Sequence, residues 1–227
     1  IKELASGQLK DEANAWFVGE PFKVFYDYKK EGIWQLGEEA AAAANGQEPG
    51  DIKVQDVDGN GVITTDDRII YSQRPDVTFG FNNTFNYKGF DLSVFLYARL
   101  GQWIAYDYNT TYRINALENG GNVDYWTPEN PTNAFPRPNK SKSYTQVTYY
   151  STLKYEDGSF FKIRDITLGY TFKPELLKHL NLSKLRVYAT AKNFFTFSKI
   201  DNYDPEQGGS ISFPMTKQLV FGLNVEF

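Results

Sequence analysis

The strongest pattern in this sequence is a regular alternation of apolar and polar positions. A period of two places successive side chains on opposite faces of an extended chain, so alternation predicts β-strands with one apolar and one polar face. Between residues 77 and 87 the apolar face carries Val77, Phe79, Phe81, Phe85 and Tyr87. Small and polar residues occupy most of the positions between them. This segment is therefore predicted to be a strand that is apolar on one face only.

Five further segments show the same alternation, at residues 22–28, 90–101, 160–172, 185–197 and 217–227. Most of the predicted strands run to about 11 to 13 residues, whereas strands of soluble sheets average about 5 to 6 and a bilayer-crossing strand needs about 9 to 11. Helical signals are confined to two short segments, at residues 38–44 and 173–180. The chain is predicted to be all-β, with about six strands.

The connections between the predicted strands alternate between long and short. Long segments at residues 29–76 and 102–159 alternate with the tight connection Lys88-Gly89 and with residues 173–184. Outer-membrane β-barrels show this alternation because their extracellular loops are long and their periplasmic turns are short. The pattern predicts that the Lys88-Gly89 turn and the C-terminus are periplasmic and that the long loops are extracellular.

Two all-β architectures fit alternating strands. A soluble β-sandwich buries the apolar faces of two sheets against each other, whereas an antiparallel transmembrane β-barrel turns them towards lipid. Strand length, aromatic residues at strand ends such as Tyr87 and Phe172, and the alternation of loop lengths together favour the barrel. The polar face would then line the barrel. Its charged and polar residues would form either a substrate site or an internal salt-bridge network, and the sequence favours the network; they are Asp91, Tyr97, Arg99, Arg186, Tyr188 and Lys192.

Composition excludes several functional classes. The chain has no cysteine and one histidine, His179, which argues against a thiol nucleophile, a disulfide and a multi-histidine metal site. A formal net charge of -4 argues against a nucleic-acid binder, which needs clustered Lys and Arg. The mean hydropathy of -0.51 argues against membrane-spanning helices but is compatible with alternating strands. No pair of carboxylates has a spacing that indicates catalysis, so no enzymatic activity is expected.

One segment has the spacing of a calcium-binding loop. Counting Asp56 as the first position places Asp58 at the third, Asn60 at the fifth, the Val62 carbonyl at the seventh and Asp67 at the twelfth. Oxygen ligands at these intervals converge on one Ca²⁺, although the twelfth position is usually Glu and the flanks are usually helical. The alternative is an Asx- and Gly-rich turn held by its own hydrogen bonds without metal. The sequence favours a structural Ca²⁺ that stiffens the loop.

The long connection at residues 102–159 is rich in aromatic and amide side chains. Flat rings stack on the apolar faces of sugars, and amides bind sugar hydroxyl groups. The alternative is that the same rings pack the loops together or against a partner. The candidate substrate-binding residues are Trp103, Tyr106, Tyr108, Tyr125 and Trp126.

Several segments resemble the C-terminal part of SusC/RagA-type TonB-dependent outer-membrane transporters of Bacteroidetes. They follow the same order over nearly the whole chain, from about residue 17 to residue 227. The segments are GIWQ at 32–35, GDIKVQDVDGNG at 50–61, DDR at 66–68, TFGFNNTF at 78–85, KGFDLS at 88–93, ITLGY at 166–170, LRVYATAKN at 185–193, YDPE at 203–206 and the terminal Phe227.

The resemblance implies a 22-stranded outer-membrane β-barrel with long extracellular loops, an N-terminal plug domain and a TonB-contacting segment. It implies import of oligosaccharides, or of peptides in some members, together with a SusD-like lipoprotein. Because six strands cannot close even the smallest barrel of about 8, residues 1–227 are expected to be the C-terminal portion of a longer protein. The plug and TonB box are then expected outside this chain, whose other contacts would be membrane lipid and the N-terminal barrel strands.

Overall fold

Antiparallel strands make up most of the regular structure in a computed structural model that describes residues 1–115 and 120–227. None of the described helices is long and apolar enough to span a membrane. The helices are α1 (Glu39–Ala44) and α2 (Pro174–Leu177), and short 3₁₀ turns lie at Thr65–Asp67, Asp107–Thr111, Tyr144–Gln146, Tyr150–Lys154, Lys178–Leu180 and Pro205–Gln207. The strands are β1 (Lys10–Asp11), β2 (Trp16–Phe17), β3 (Val24–Tyr28), β4 (Lys30–Ile33), β5 (Ile52–Val54), β6 (Arg68–Ser72), β7 (Val77–Tyr87), β8 (Phe90–Leu100), β9 (Trp103–Ala105), β10 (Tyr155–Asp157), β11 (Phe160–Thr171), β12 (Lys184–Ser198) and β13 (Gln218–Glu226).

The chain divides into two compact units. The five long strands belong to the second unit, and the first unit is built mainly from the N-terminal segment and the two longest connections. The first unit comprises Ile1–Arg74, Trp103–Glu156 and Gly208–Ile211, and the second comprises Pro75–Gln102, Asp157–Gln207 and Ser212–Phe227.

The second unit is a five-stranded antiparallel sheet with the strand order β13-β12-β11-β8-β7. Alternation in the sequence predicted the ends of these five strands to within one residue. Lys88 and Gly89 form the tight turn between β7 and β8, and both have positive φ, at 48° and 91°. Glycine suits the second position because a Cβ there would lie 2.8 Å from the Thr171 carbonyl oxygen.

This sheet has one apolar and one polar face, as predicted. Its register places Leu168 between Leu92 and Ala189, and Ala189 beside Phe221, so apolar side chains of four neighbouring strands form one continuous face. The face is exposed: Phe81 is 48% exposed, Leu168 51% and Phe221 73%. Soluble monomers rarely expose large contiguous apolar surfaces.

A β-bulge keeps two charged residues of β11 on the polar face. Lys162 and Asp165 are three positions apart, so a regular strand would turn them to opposite faces. The register shifts between Ile163 and Asp165, and Lys162 and Asp165 then lie opposite Tyr97 and Phe95, which share one face of β8. The extra residue of the bulge therefore brings both charges to the same side.

Small antiparallel sheets organise the first unit, where β1 pairs with β2, β3 with β6 and β4 with β5. The Ala-rich segment predicted as a helical turn forms α1. An apolar core joins the two longest connections and contains Ile33, Ile52, Val54, Trp126, Tyr150 and Leu153.

One predicted barrel strand does not join the large sheet. Residues 22–28 contain β3, which pairs with β6 in the first unit. Tyr71 of β6 is buried, and its hydroxyl group donates a hydrogen bond of 2.8 Å to the Tyr28 carbonyl oxygen. Alternation identifies a strand but not its partner, so the sheet has five strands where six were expected.

Candidate functional site

The acidic loop between β5 and β6 brings three carboxylates together. Asp56, Asp58 and Asp67 each offer an oxygen atom, and these atoms lie within 4.8 Å of one another. Oxygen ligands lie about 2.3–2.6 Å from Ca²⁺, so two ligands of one ion are separated by at most about 5 Å. The spacing and the chemistry of the donors therefore fit a calcium ion.

Hydrogen bonds within the loop set its shape. The Asp56 carboxylate accepts hydrogen bonds from the backbone N–H groups of Gly59 and Gly61, at 2.8 and 2.7 Å. The Asn60 side-chain oxygen accepts from the N–H of Val62 at 2.8 Å. Both glycines have positive φ, at 72° and 82°, which side-chain-bearing residues rarely adopt. These contacts are also those of a metal-free Asx turn, so both alternatives from the sequence share this geometry.

Asp67 anchors the acidic loop in the first unit. It is fully buried, and its carboxylate accepts hydrogen bonds from the N–H groups of Val57 and Thr64, both at 2.7 Å. These bonds, chiefly the one from Thr64, hold the pKa of the Asp67 carboxyl below its usual value. The ligand predicted at the twelfth position is thus charged and fixed, whereas Asp58, Asn60 and Val62 are exposed.

The five aromatic residues predicted to bind substrate do not form one platform. Trp126 is 4% exposed in the apolar core, and its indole N–H donates to the side-chain oxygen of Gln35 at 2.8 Å. Tyr106 is also buried and stacks on Tyr108, with ring centroids 5.8 Å apart. Tyr125 is exposed.

Trp103 packs edge-to-face on Tyr71, with a centroid distance of 4.8 Å. Gly50 shows how closely the two longest connections approach each other, because a Cβ there would lie 2.6 Å from the Trp126 ring. Arg137 also joins them, with ion pairs of 2.6 Å to Glu48 and 3.4 Å to Asp51. Much of the aromatic content of this unit therefore packs the long connections against each other.

Ion pairs run along the polar face of the large sheet. Arg186 binds the Asp91 carboxylate through two N–H donors, at 2.9 and 2.5 Å, and Lys192 lies 3.8 Å from Asp165. Arg99 donates to the Tyr97 hydroxyl at 2.7 Å. Of the residues expected to form a salt-bridge network there, Asp91 and Arg186 form an ion pair and Arg99 and Tyr97 a hydrogen bond, whereas Lys192 pairs with Asp165, which was not among those predicted.

The most buried charge in this sheet was not predicted from the sequence. Lys162 has a fully buried side chain whose ammonium group lies 2.6 Å from Asp204 and 2.8 Å from Glu206. Arg164 pairs with the same Glu206 at 3.0 Å, and the Thr196 hydroxyl lies 3.3 Å from Asp204. The only signal in the sequence is a lysine in a run of apolar residues at 160–163. A cavity of about 650 Å³ lies next to this network, at the end of β12.

Comparison with known sequences gives several relatives, although no protein-family model matches the chain. TonB-dependent receptor P3 of Formosa agariphila is 31% identical over an alignment that covers 92% of this chain and 22% of that protein. TonB-dependent receptor P26 of the same organism is 32% identical, with 92% and 23% covered. TonB-dependent receptor SusC of Bacteroides thetaiotaomicron is 31% identical over 76% of this chain and 17% of SusC. The chain spans about a fifth of the length of these relatives.

Solved structures with a similar fold are also found. The RagAB peptide importer in its "open-open" state matches with a TM-score of 0.65 and 26% identity, over 93% of this chain and 23% of that chain. Its "closed-closed" state matches with a TM-score of 0.62 and 26% identity, over 93% and 24%. The antiparallel fold expected from the sequence is thereby confirmed. The named relatives are receptors and transporters, in agreement with the expectation that the chain is not an enzyme.

Proposed function

Since this chain is a homologue of the C-terminal part of the SusC/RagA-type TonB-dependent receptors, we propose that it forms the last strands of an outer-membrane β-barrel that imports substrate. The observation that carries this proposal is the five-stranded sheet with an exposed apolar face and a face of ion pairs. Transmembrane barrels need this division because lipid covers one face and the lumen the other.

The outer edges of the five-stranded sheet indicate that the barrel contains more strands than this chain supplies. β7 and β13 each pair with one neighbour in the described sheet. A strand edge cannot face hydrocarbon, because its N–H and C=O groups would have no hydrogen-bond partners. In the complete protein, strands from the preceding part of the barrel pair with both edges. The Lys88-Gly89 turn then faces the periplasm and the long connections face the outside of the cell, as loop lengths suggest.

We infer that the substrate is an oligosaccharide. Exposed aromatic side chains such as Tyr125 and Tyr144, in connections rich in Asn, support this class because rings and amides together recognise sugars. Peptide import is the second candidate, since the solved structures similar to this chain are of a peptide importer.

The partners follow from the family. SusC and RagAB relatives support an assembly with a substrate-binding, SusD-like lipoprotein. Energy would come from TonB, acting on a plug domain that lies outside this chain. The ion pairs of the polar face, such as Asp91 with Arg186, would line the lumen that holds the plug.

The acidic loop has a structural role in this proposal. A Ca²⁺ held by Asp56, Asp58, Asn60, Asp67 and the Val62 carbonyl would neutralise three neighbouring carboxylates that otherwise repel one another. Because Asp67 is already fixed by backbone donors, the ion would tie the exposed part of the loop to the first unit. It would stiffen an extracellular connection and would take no part in transport chemistry.

Membrane fractionation of the complete protein tests the barrel. We expect the protein in the outer-membrane pellet, extractable only with detergent, and accompanied by a lipoprotein that mass spectrometry identifies. A protein that stays in the aqueous phase after membranes are pelleted would overturn the proposal in favour of a soluble β-sandwich.

Uptake by whole cells tests the substrate class. Cells that express the complete transporter should accumulate fluorescent oligosaccharides, and cells that lack it should not. Accumulation of labelled peptides without any oligosaccharide would replace the first substrate class by the second.

A further inference from the structure

The cavity at the end of β12 has the properties of a binding site. Its volume of about 650 Å³ lies within the range of about 300–1,000 Å³ typical of small-molecule sites. One wall is the last part of β12, and the facing walls are residues 200–204 and 214–217. The ion pairs of buried Lys162 with Asp204 and Glu206 hold the first of these facing segments against β11. The wall is therefore fixed without any ligand.

A strand edge borders this cavity. β13 pairs with β12 only up to Lys192, so within the described part of the chain no strand pairs with residues 193–198 on the side away from β11. Thr196, Phe197 and Ser198 are consecutive, and all three line the cavity although their side chains alternate between the two faces. In an antiparallel ladder, alternate residues direct their backbone N–H and C=O groups to opposite sides of the strand. At least one of these three residues therefore directs both groups away from β11, where they can serve a ligand as donor and acceptor.

The side chains around the cavity suit a sugar. Phe194 is 37% exposed and offers a flat apolar ring. Asp201 and Asn202 also line the cavity and are exposed, and their side chains carry acceptors and donors for hydroxyl groups. Sugars present an apolar ring face and a rim of hydroxyl groups that both donate and accept, which matches this combination.

The same edge is a poor template for an extended peptide. Asn193 has a positive φ of 58°, and the ladder between β11 and β12 shifts register beside it. Such an irregularity interrupts the even spacing of donors and acceptors that an added strand requires. A sugar needs only individual donors and acceptors, so the irregular edge favours this ligand class.

We propose that this cavity is an oligosaccharide subsite of the transporter, with Phe194 as the stacking platform and Asp201 and Asn202 as the hydroxyl-binding groups. The proposal rests on the proposed import of oligosaccharides and adds a location for one sugar-binding step. The site differs from the aromatic residues of the long connections, since all its lining residues belong to the second unit.

Binding by the purified complete transporter in detergent tests the subsite. The probes are an array of neutral di- to hexasaccharides of glucose, mannose, galactose and fructose, and an equal set of hexapeptides. We expect at least one oligosaccharide to bind, Phe194→Ala to weaken that binding about tenfold, and Asn202→Ala to weaken it less. Phe221→Ala, which removes an exposed ring from the apolar face of the sheet, should leave it unchanged.

The other possible outcomes distinguish failure of the subsite proposal from failure of the proposed function. Unchanged binding by both Phe194→Ala and Asn202→Ala, in a transporter that still binds and imports oligosaccharides, would overturn the subsite and leave the proposed function intact. Binding of hexapeptides alone, or of no oligosaccharide, would overturn both. Circular dichroism of the variants, with a spectrum equal to that of the unmodified protein, separates lost binding from lost folding.

Discussion

The two units of this chain use aromatic side chains in opposite ways. In the first unit the buried rings are mostly Tyr and Trp, and several of them form hydrogen bonds through their polar atoms, as Trp126 does with Gln35 and Tyr71 with Tyr28. In the second unit the exposed rings are mostly Phe, as with Phe81 and Phe221. A ring with a polar atom suits a core that can supply a hydrogen bond, whereas a ring without one suits lipid. Aromatic residues make up 17% of the chain. They include buried Tyr and Trp rings of the first unit and exposed Phe rings of the second, which have different physical roles.

Substitution of an aromatic residue in the core of the first unit is expected to cause the largest loss of stability. Trp126→Ala should lower the free energy of unfolding of that unit by about 3–5 kcal/mol, because it leaves a cavity among Ile33, Ile52 and Val54. The neighbouring substitution Tyr125→Ala removes an exposed ring and should cost less than about 1 kcal/mol. Hydrogen exchange of β4 and β5 measures both effects. Equal effects would contradict the assignment of Trp126 to the core.

A comparable loss is expected at the buried ion pairs of the second unit. Lys162→Met leaves Asp204 and Glu206 without the buried ammonium group, at a cost of about 3–5 kcal/mol. Lys184→Met breaks only the exposed pair with Glu226 and should cost about 0–1 kcal/mol. Hydrogen exchange in residues 200–207 should rise strongly in the first variant and stay constant in the second. If exchange there is the same in both, Lys162 does not hold this segment.

The two faces of β7 provide the next comparison. Phe81→Arg puts a charge on the exposed apolar face and should destabilise the membrane-inserted protein by about 2–4 kcal/mol, whereas Asn82→Arg on the polar face should cost about 0–1 kcal/mol. Urea unfolding in lipid vesicles measures the difference. Reversed costs would mean that the faces are assigned the wrong way round.

The smallest effect concerns the acidic loop. Asp58→Ala should reduce the calcium bound to the purified protein by one ion, with little change in overall stability, because Asp58 is exposed. Asp124→Ala, another exposed carboxylate of the first unit, serves as the control. Elemental analysis after dialysis counts the ions. The same count in the unmodified protein and in Asp58→Ala would exclude Asp58 as a ligand.

The second unit was far more predictable than the first. The alternation at residues 77–87 predicts both that this segment is a strand and which of its faces is apolar, because one-sided burial or lipid exposure imposes a period of two. Residues 22–28 show the same period, but their partner β6 is selected by the packing of Tyr71, which no local pattern reveals. Trp126 shows why binding residues are hard to predict from sequence. An aromatic ring can stack on a sugar or pack in a core, and the sequence does not distinguish the two; Trp126 lies in the core.

Lys162 illustrates a further limit. Its partners Asp204 and Glu206 are about 40 residues away, and a β-bulge decides which face the lysine occupies. Neither the long-range contact nor the bulge can be inferred from the alternation alone. The carboxylates of the acidic loop, by contrast, converge as their spacing predicted, because glycines and short-range hydrogen bonds determine the turn.

A cysteine scan of β13 tests the lipid-facing sheet most directly. The chain contains no cysteine, so single substitutions at Leu219, Val220, Phe221, Leu223 and Asn224 can each carry one fluorophore in a cysteine-free form of the complete protein. Val220 and Asn224 pair with Thr190 and Arg186 on the polar face. In lipid vesicles, a nitroxide attached to lipid acyl chains should quench labels at 219, 221 and 223 but not those at 220 and 224. Equal quenching at all five positions, or quenching by water-soluble iodide alone, would contradict the barrel wall.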